Sequence, residues 1–444
     1  MGCNKDRTND AVAELHRFLV VGDEHDTHIF TFLLQNPFDH NFEKVQSREF
    51  MYAHNRWRTS IVKSENHLNF FLELREATEG LTCSLDFSFG VLNRDDVTRN
   101  ESYSEAVSLF TKETSEHGRR SFITKDELLH DGYLDENKQF LVEFQMRNAK
   151  TSFSTVVNVA PRMHETFPRF QSTYFPYGGF DWNVSVYPNG DWAEHEGRVM
   201  INLNRLTQFN QLCRLGYRVT LGDDVETKCY RSDVLGHIFD FSGNGQGFML
   251  YDDLERYTNN GELKIVVELV YISVIHEIKM YVFEEQSRKN QVFFSDRDRQ
   301  AWCLETNVSH KNLLLNLAYV DQYRLPTNYA RYVRWDIVVV GAAGQCKRTL
   351  DGPYSAYFVK QADENEYEMA TELPIKELSD PAQNYFPDDE GPLRLKVHVE
   401  FKISHLLYKA HYDKQDDVSK RQIHQLKSQL VMSRNKPSSV SPTR

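Results

Sequence analysis

No run of 18 apolar residues occurs in the 444 positions, so no segment reads as a membrane-crossing helix. The six cysteines (Cys3, Cys83, Cys213, Cys229, Cys303 and Cys346) contain no C-x-x-C pair, which excludes the common zinc-ribbon and dithiol redox arrangements. No apolar leader follows Met1 in MGCNKDRTNDAVAELH. A cytoplasmic protein with reduced, mostly core thiols is therefore expected. Basic residues number 52 against 64 acidic ones, and the net charge of −12 disfavours nucleic acid and anionic membranes as general partners. Neither H-E-x-x-H nor a complete phosphate loop is present, since GNGQG at 243–247 lacks the lysine and the following helix. His25 and His28 in GDEHDTH (22–28) have acidic neighbours but no second ligand pair, so the stretch reads as a solvated charged linker. No metal, cofactor or catalytic residue is expected.

What is present is apolar surface in short pieces. Hydrophobic residues make up 40% and aromatics 13%, enough for packed domains, and the length calls for more than one core. Trp57, Trp182 and Trp302 open similar strand-like runs 125 and 120 residues apart, in RWRTSIV, DWNVSVYP and AWCLETNV. Each is followed by a second apolar run: HLNFFLEL, RVMINLN and NLLLNLAYV. A third alternating run comes next: CSLDFSFGVLN, CRLGYRVTLGD and YVRWDIVVVG. Then come SFITKDELL, GFMLYDDLE and TELPIKELSD, and the closing strands QFLVEFQM, ELKIVVELVYI and PLRLKVHVEFKI. Five features in one order, three times, predict an internal repeat of about 120 residues. Period-two alternation broken by Gly, Asn and Asp predicts short antiparallel strands, and units of this size suit two-sheet sandwiches. Helical spacing is confined to the ends. Ala11, Leu15, Phe18 and Leu19 predict a short N-terminal helix. Ile423, Leu426 and Leu430 predict a C-terminal one within 414–434, ahead of a polar tail at 435–444.

These units resemble the TRAF-like MATH (meprin and TRAF homology) domain. The likeness rests on HIFTFLL, REFMYAHNRW, HLNFFLEL, DFSFGVLN and GRRSFITKDELL in the first unit. In the second it rests on FQSTYFPYGGFDWNVSVYPNG and GFMLYDDL, and in a divergent third on AWCLETNV and DDEGPLRLKVHVEF. The resemblance implies an all-β chain of three tandem antiparallel sandwiches of seven to eight strands. Its units are 25–150, 151–285 and 286–405, flanked by a helical tail at 1–24 and a helix with tail at 406–444. It also implies a non-enzymatic adaptor that takes short extended peptides of partner proteins in a groove, in a ubiquitin-linked or receptor-proximal setting. A structural protein packed into a fixed assembly is the alternative, and an enzyme the third.

Carried over position by position, the groove of the first unit would use His67, Phe87, Leu109, His117 and Arg119. That of the second would use Arg198, Tyr217, Phe241 and Gly243. Where substrate-binding MATH modules carry Trp-Gly-Phe, this chain has His117-Gly118-Arg119. Gly2 and Cys3 resemble a dual acylation start, although the sixth residue is Asp6 rather than Ser or Thr. Membrane association would follow only from that modification. The oligomeric state is left open.

Overall fold

The computed structural model describes residues 11–21, 27–39, 42–159, 168–207, 211–223, 228–239, 244–282, 290–341, 347–350, 352–360, 366–380, 385 and 394–408. The described chain is all-β, with hydrophobic residues buried in three separate clusters. The strands around the first cluster are β1 (Ala11–Val21), β2 (Thr27–Gln35), β3 (Lys44–Ser47), β4 (Phe50–Tyr52), β5 (Asn55–Lys63) and β6 (His67–Leu74). They are followed by β7 (Leu81–Leu92), β8 (Glu101–Phe110), β9 (Glu116–Thr124), the helix α1 (Lys125–His130) and the long β10 (Gln139–Asn158). The second region runs from β11 (Phe170–Gln171) and β12 (Phe175–Tyr177) through β13 (Phe180–Tyr187), β14 (Arg198–Arg205) and β15 (Leu212–Asp223). It ends with β16 (Lys228–Arg231), β17 (Leu235–Phe239), β18 (Asn244–Leu250), β19 (Thr258–Asn259) and β20 (Glu262–Tyr281). The third holds β21 (Asn290–Ser295), β22 (Ala301–Ser309), β23 (Asn312–Tyr319), β24 (Tyr329–Val340) and β25 (Lys347–Thr349). β26 (Tyr354–Val359), β27 (Glu366–Pro374), α2 (Ile375–Leu378) and β28 (Arg394–Tyr408) complete it.

One pairing scheme recurs. β5–β6–β9, β13–β14–β18 and β22–β23–β27 form one sheet of each sandwich. β8–β7–β10, β17–β15–β20 and β26–β24–β28 belong to the facing sheets. The tryptophans occupy matching places. Trp57, Trp182 and Trp302 are fully buried. The Trp57 and Trp182 indole N–H groups donate to the carbonyls of Tyr52 and Tyr177, each at 3.0 Å, and that of Trp302 to Asp296 Oδ2 at 2.9 Å. A buried indole needs such an acceptor, and the hairpin tip before each strand supplies it.

The closing strands are shared between cores. Phe140, Val142, Phe144 and Met146 of β10 face the first core, and Phe153 and Val157 the second. The buried positions change from even to odd across a register shift between Arg147 and Lys150, where Asn148 has φ 56°. One extra residue changes the parity while the ladder keeps Met146 opposite Phe87 and Phe153 opposite Leu81 on one face of β7, and the same strand then serves two interiors. β20 repeats the device, with Leu263 to Leu269 in the second core and Ile278 and Met280 in the third. β28 places Leu395, Val397 and Val399 in the third core and Leu407 in the first. The three sandwiches therefore close on one another, first to second, second to third and third back to first.

The hairpin tips meet at the centre. Gly178 N–H donates to the His54 carbonyl at 2.9 Å, and Arg297 Nη1 to the Gly178 carbonyl at 2.6 Å. Gly178 has φ 63°, and a Cβ there would lie 2.5 Å from Ile272 Cδ1, so the close approach requires glycine. A cavity of about 430 Å³ opens at this junction, lined among others by His28, His54, His276 and Arg297.

The structure corrects several expectations. Residues 11–21 form a strand, paired antiparallel with β2 and, at Ala11–Ala13, parallel with β3. Ladder hydrogen bonds to two neighbours outweigh a spacing that also fits a helix. His28 is no linker residue: it is 8% exposed, on β2. Cuts at 150/151 fall inside β10, and the end of β20, Ile275–Tyr281, placed with the second unit, pairs with β28 of the third. The predicted helix at 414–434 lies outside the described residues.

Candidate functional site

β8 pairs with β7 alone and β9 with β6 alone among the described strands. They are the edges of two different sheets, and they lie side by side, joined by residues 111–115. Edge strands present unpaired main-chain groups and are where an extended segment adds. β8 is apolar only at intervals, and its outward face is open. Val107 is 74% and Leu109 51% exposed, whereas Ser108 and Phe110 are buried.

A bulge shapes this edge. The β7–β8 register slips between Leu85 and Phe87, and Val107 takes φ 54°. Asp86 holds the turn, accepting from Val107 N at 2.8 Å through Oδ1 and from Asn148 Nδ2 at 2.7 Å through Oδ2. The Asn148 and Val107 hydrogen bonds keep this carboxyl below its ordinary value.

Beside the bulge, Glu105 is the hub of a polar cluster. It accepts from Tyr103 Oη at 3.0 Å and Ser108 Oγ at 2.7 Å, and its Oε1 lies 3.1 Å from His117 Nδ1. Burial pushes the carboxyl upward, but Ser108, Tyr103 and His117 outweigh it, so the net direction is below the usual value. Burial and the bond to Glu105 raise the Tyr103 phenol. The other nitrogen of His117, Nε2, lies 2.9 Å from the Leu109 carbonyl. Arg119 covers the Tyr103 ring at 5.8 Å from its centroid. Gly118 sits between these two side chains because a Cβ there would lie 2.0 Å from the Phe70 carbonyl oxygen. The arrangement offers two apolar side chains, a carboxylate, an imidazole and a guanidinium along one exposed edge.

Of the positions expected from the sequence, Leu109, His117 and Arg119 are brought together here. His67, half-buried, stands on β6 opposite Thr124, toward the α1 end of β9. Phe87 and Tyr217 are corrected. They are 2% and 1% exposed and belong to the first and second cores, so neither side chain faces a groove. Phe87 shares its strand face with Cys83 and Leu85, and Tyr217 with Cys213 and Leu215. That alternation was legible in the sequence. Arg198 is exposed at the start of β14, opposite Leu250. Phe241, Gly243, Gly2 and Cys3 lie outside the described residues. Tyr103, Glu105, Val107 and Ser108 were not expected. Their signal is the polar composition of ESYSEAVSLF, which marks an edge strand.

Among the described residues no group of three His, Cys, Asp or Glu side chains could hold a metal ion, and no helix is long and apolar enough to cross a membrane. Cys83 and Cys213 are buried, and desolvation pushes both thiols up to about 12, opposite to what a nucleophile needs.

A search of curated proteins finds no match. Among solved structures, the C-terminal globular domain of oligosaccharyltransferase from Pyrococcus abyssi aligns at 9% identity over 83% of this chain and 77% of that one, with a TM-score of 0.12 that supports no likeness of fold. Residues 38–146 match the family model of the MATH domain. That segment runs from ahead of β3 to Met146 of β10 and contains the whole β8–β9 edge, so the candidate site lies within the stretch that matches the MATH family model.

Proposed function

We propose that the chain is a non-enzymatic scaffold that holds short extended segments of partner proteins along the β8–β9 edge of its first sandwich. The observation that carries this reading is the pair of adjacent edge strands with Val107 and Leu109 standing exposed beside the Glu105 cluster. Main-chain pairing would supply affinity there, and the apolar and charged side chains would choose the sequence. The second and third sandwiches are read as MATH-like on the recurring strand scheme and the three capped tryptophans. They present the first sandwich from a fixed body. A ubiquitin-linked or receptor-proximal setting is what the MATH resemblance suggests.

A peptide array probed with the full chain tests the reading. Saturable binding should be lost, by tenfold or more in affinity on the order of a hot-spot substitution, in both Leu109→Lys and Arg119→Glu, while Arg198→Glu binds as wild type. Binding that survives both substitutions, or no binding at all, would remove the groove. A fixed structural role is the second reading, favoured by closing strands that run through two cores each.

A further inference from the structure

The three seams between the sandwiches are not alike. β10 continues from the first core into the second and pairs there with β20. β20 continues into the third and pairs with β28. At the third seam β28 returns to the first core, yet among the described strands it pairs only with β20 and β24. It meets β1 through side chains instead: His16 Nδ1 lies 2.9 Å from the Tyr408 carbonyl, and Leu407 joins the first core. The first and last described strands thus close the molecule without a ladder.

That seam is lined with buried imidazoles. His16, His28 and His405 are 1%, 8% and 6% exposed. Phe18 of β1 sits between two of them, with ring centroids 5.2 Å from His28 and 4.5 Å from His405. Cationic groups already face it. Arg331 of β24 donates to Ser404 Oγ, and Arg297 and Arg48 line the adjoining cavity. The nearby carboxylates are engaged elsewhere. Glu143 pairs with Arg17 at 3.0 Å, Glu14 bonds the Tyr329 phenol, and Glu49 reaches Arg56 and Arg75. Asp298, exposed at the cavity mouth, lies beside Arg297.

We propose that the seam between β1 and β28 is an acid-sensitive latch, in which protonation of His405 releases the end of β28 from the first core while the three sandwiches stay folded. An imidazolium at 405 would be buried beside Arg331; of the described carboxylates lining the same cavity, Asp296 accepts from the Trp302 indole and the Gln300 N–H, and Asp336 pairs with Lys402. Burial, then His28 and Arg331, push the His405 imidazole down to about 3. A histidine held low in the closed state favours closure above its free value of about 6.5. That preference is lost progressively as pH falls from there toward the closed-state value. The other two seams keep their ladders and stay shut.

Hydrogen exchange of the full chain at pH 7.5 and pH 5, corrected for intrinsic rates, tests this. Opening of 401–408 and β1 should rise about 30-fold at pH 5, with the Phe153–Val157 stretch of β10 unchanged. His405→Phe and, separately, His405→Gln should each lower that rise by a similar factor. Two results would overturn the proposal: no selective rise at 401–408 in the wild type, or an equal rise in both variants.

Discussion

A tryptophan in a sandwich core brings a large apolar body and one donor that must be satisfied. Trp182 shows both: its ring is fully buried in the second core, and its N–H reaches the Tyr177 carbonyl across the β12–β13 hairpin. Trp182→Ala therefore removes the ring contacts and takes the indole donor from that carbonyl. Urea denaturation should show a loss of about 3–5 kcal/mol, the range for large-to-small aromatic substitutions in cores; a change below about 1 kcal/mol would mean that the site collapses around the gap. The same physics explains what was readable at this scale. Tryptophan is rare, and three at one interval stood out. The MATH resemblance, carried over position by position, implies groove places for Phe87 and Tyr217, whereas strand parity puts them on the buried faces of Cys83 and Cys213.

Strands were legible where alternation is unbroken, as in HLNFFLEL of β6 with its regular half-buried and buried residues. They were not legible where the alternation turns over. QFLVEFQM seemed to end at Met146 because the shift between Arg147 and Lys150 reverses which positions are buried, although β10 runs on to Asn158. Inserting one alanine after Ala149 tests whether the register beyond that shift is what lets β10 serve two cores. The insertion moves Phe153 and Val157 one position along the pleat, turning them away from the second core. The expected outcome is a second sandwich that melts at lower temperature and separately from the first, seen as two calorimetric transitions. One unchanged transition would contradict this role. β1 failed for a different reason. Eleven residues carry too little pattern to separate period two from period 3.6, and the neighbours that decide it are far away in the chain.

At the scale of the molecule, three interiors joined by shared strands make a rigid frame, and the β8–β9 edge stands outside the sharing. Both strands belong to the first core and neither continues into another, which leaves their free sides available to a partner. The frame itself was invisible in the sequence, since nothing local says that Leu407 returns to the core built from residues 13–146. The most direct measurement is a hydrogen-exchange footprint of the full chain with a peptide selected on the array. The account predicts slowed exchange confined to β8 and β9, residues 101–110 and 116–124, with the remaining edges unaffected. Protection on another edge, or binding that leaves β8 and β9 exchanging as before, would contradict it.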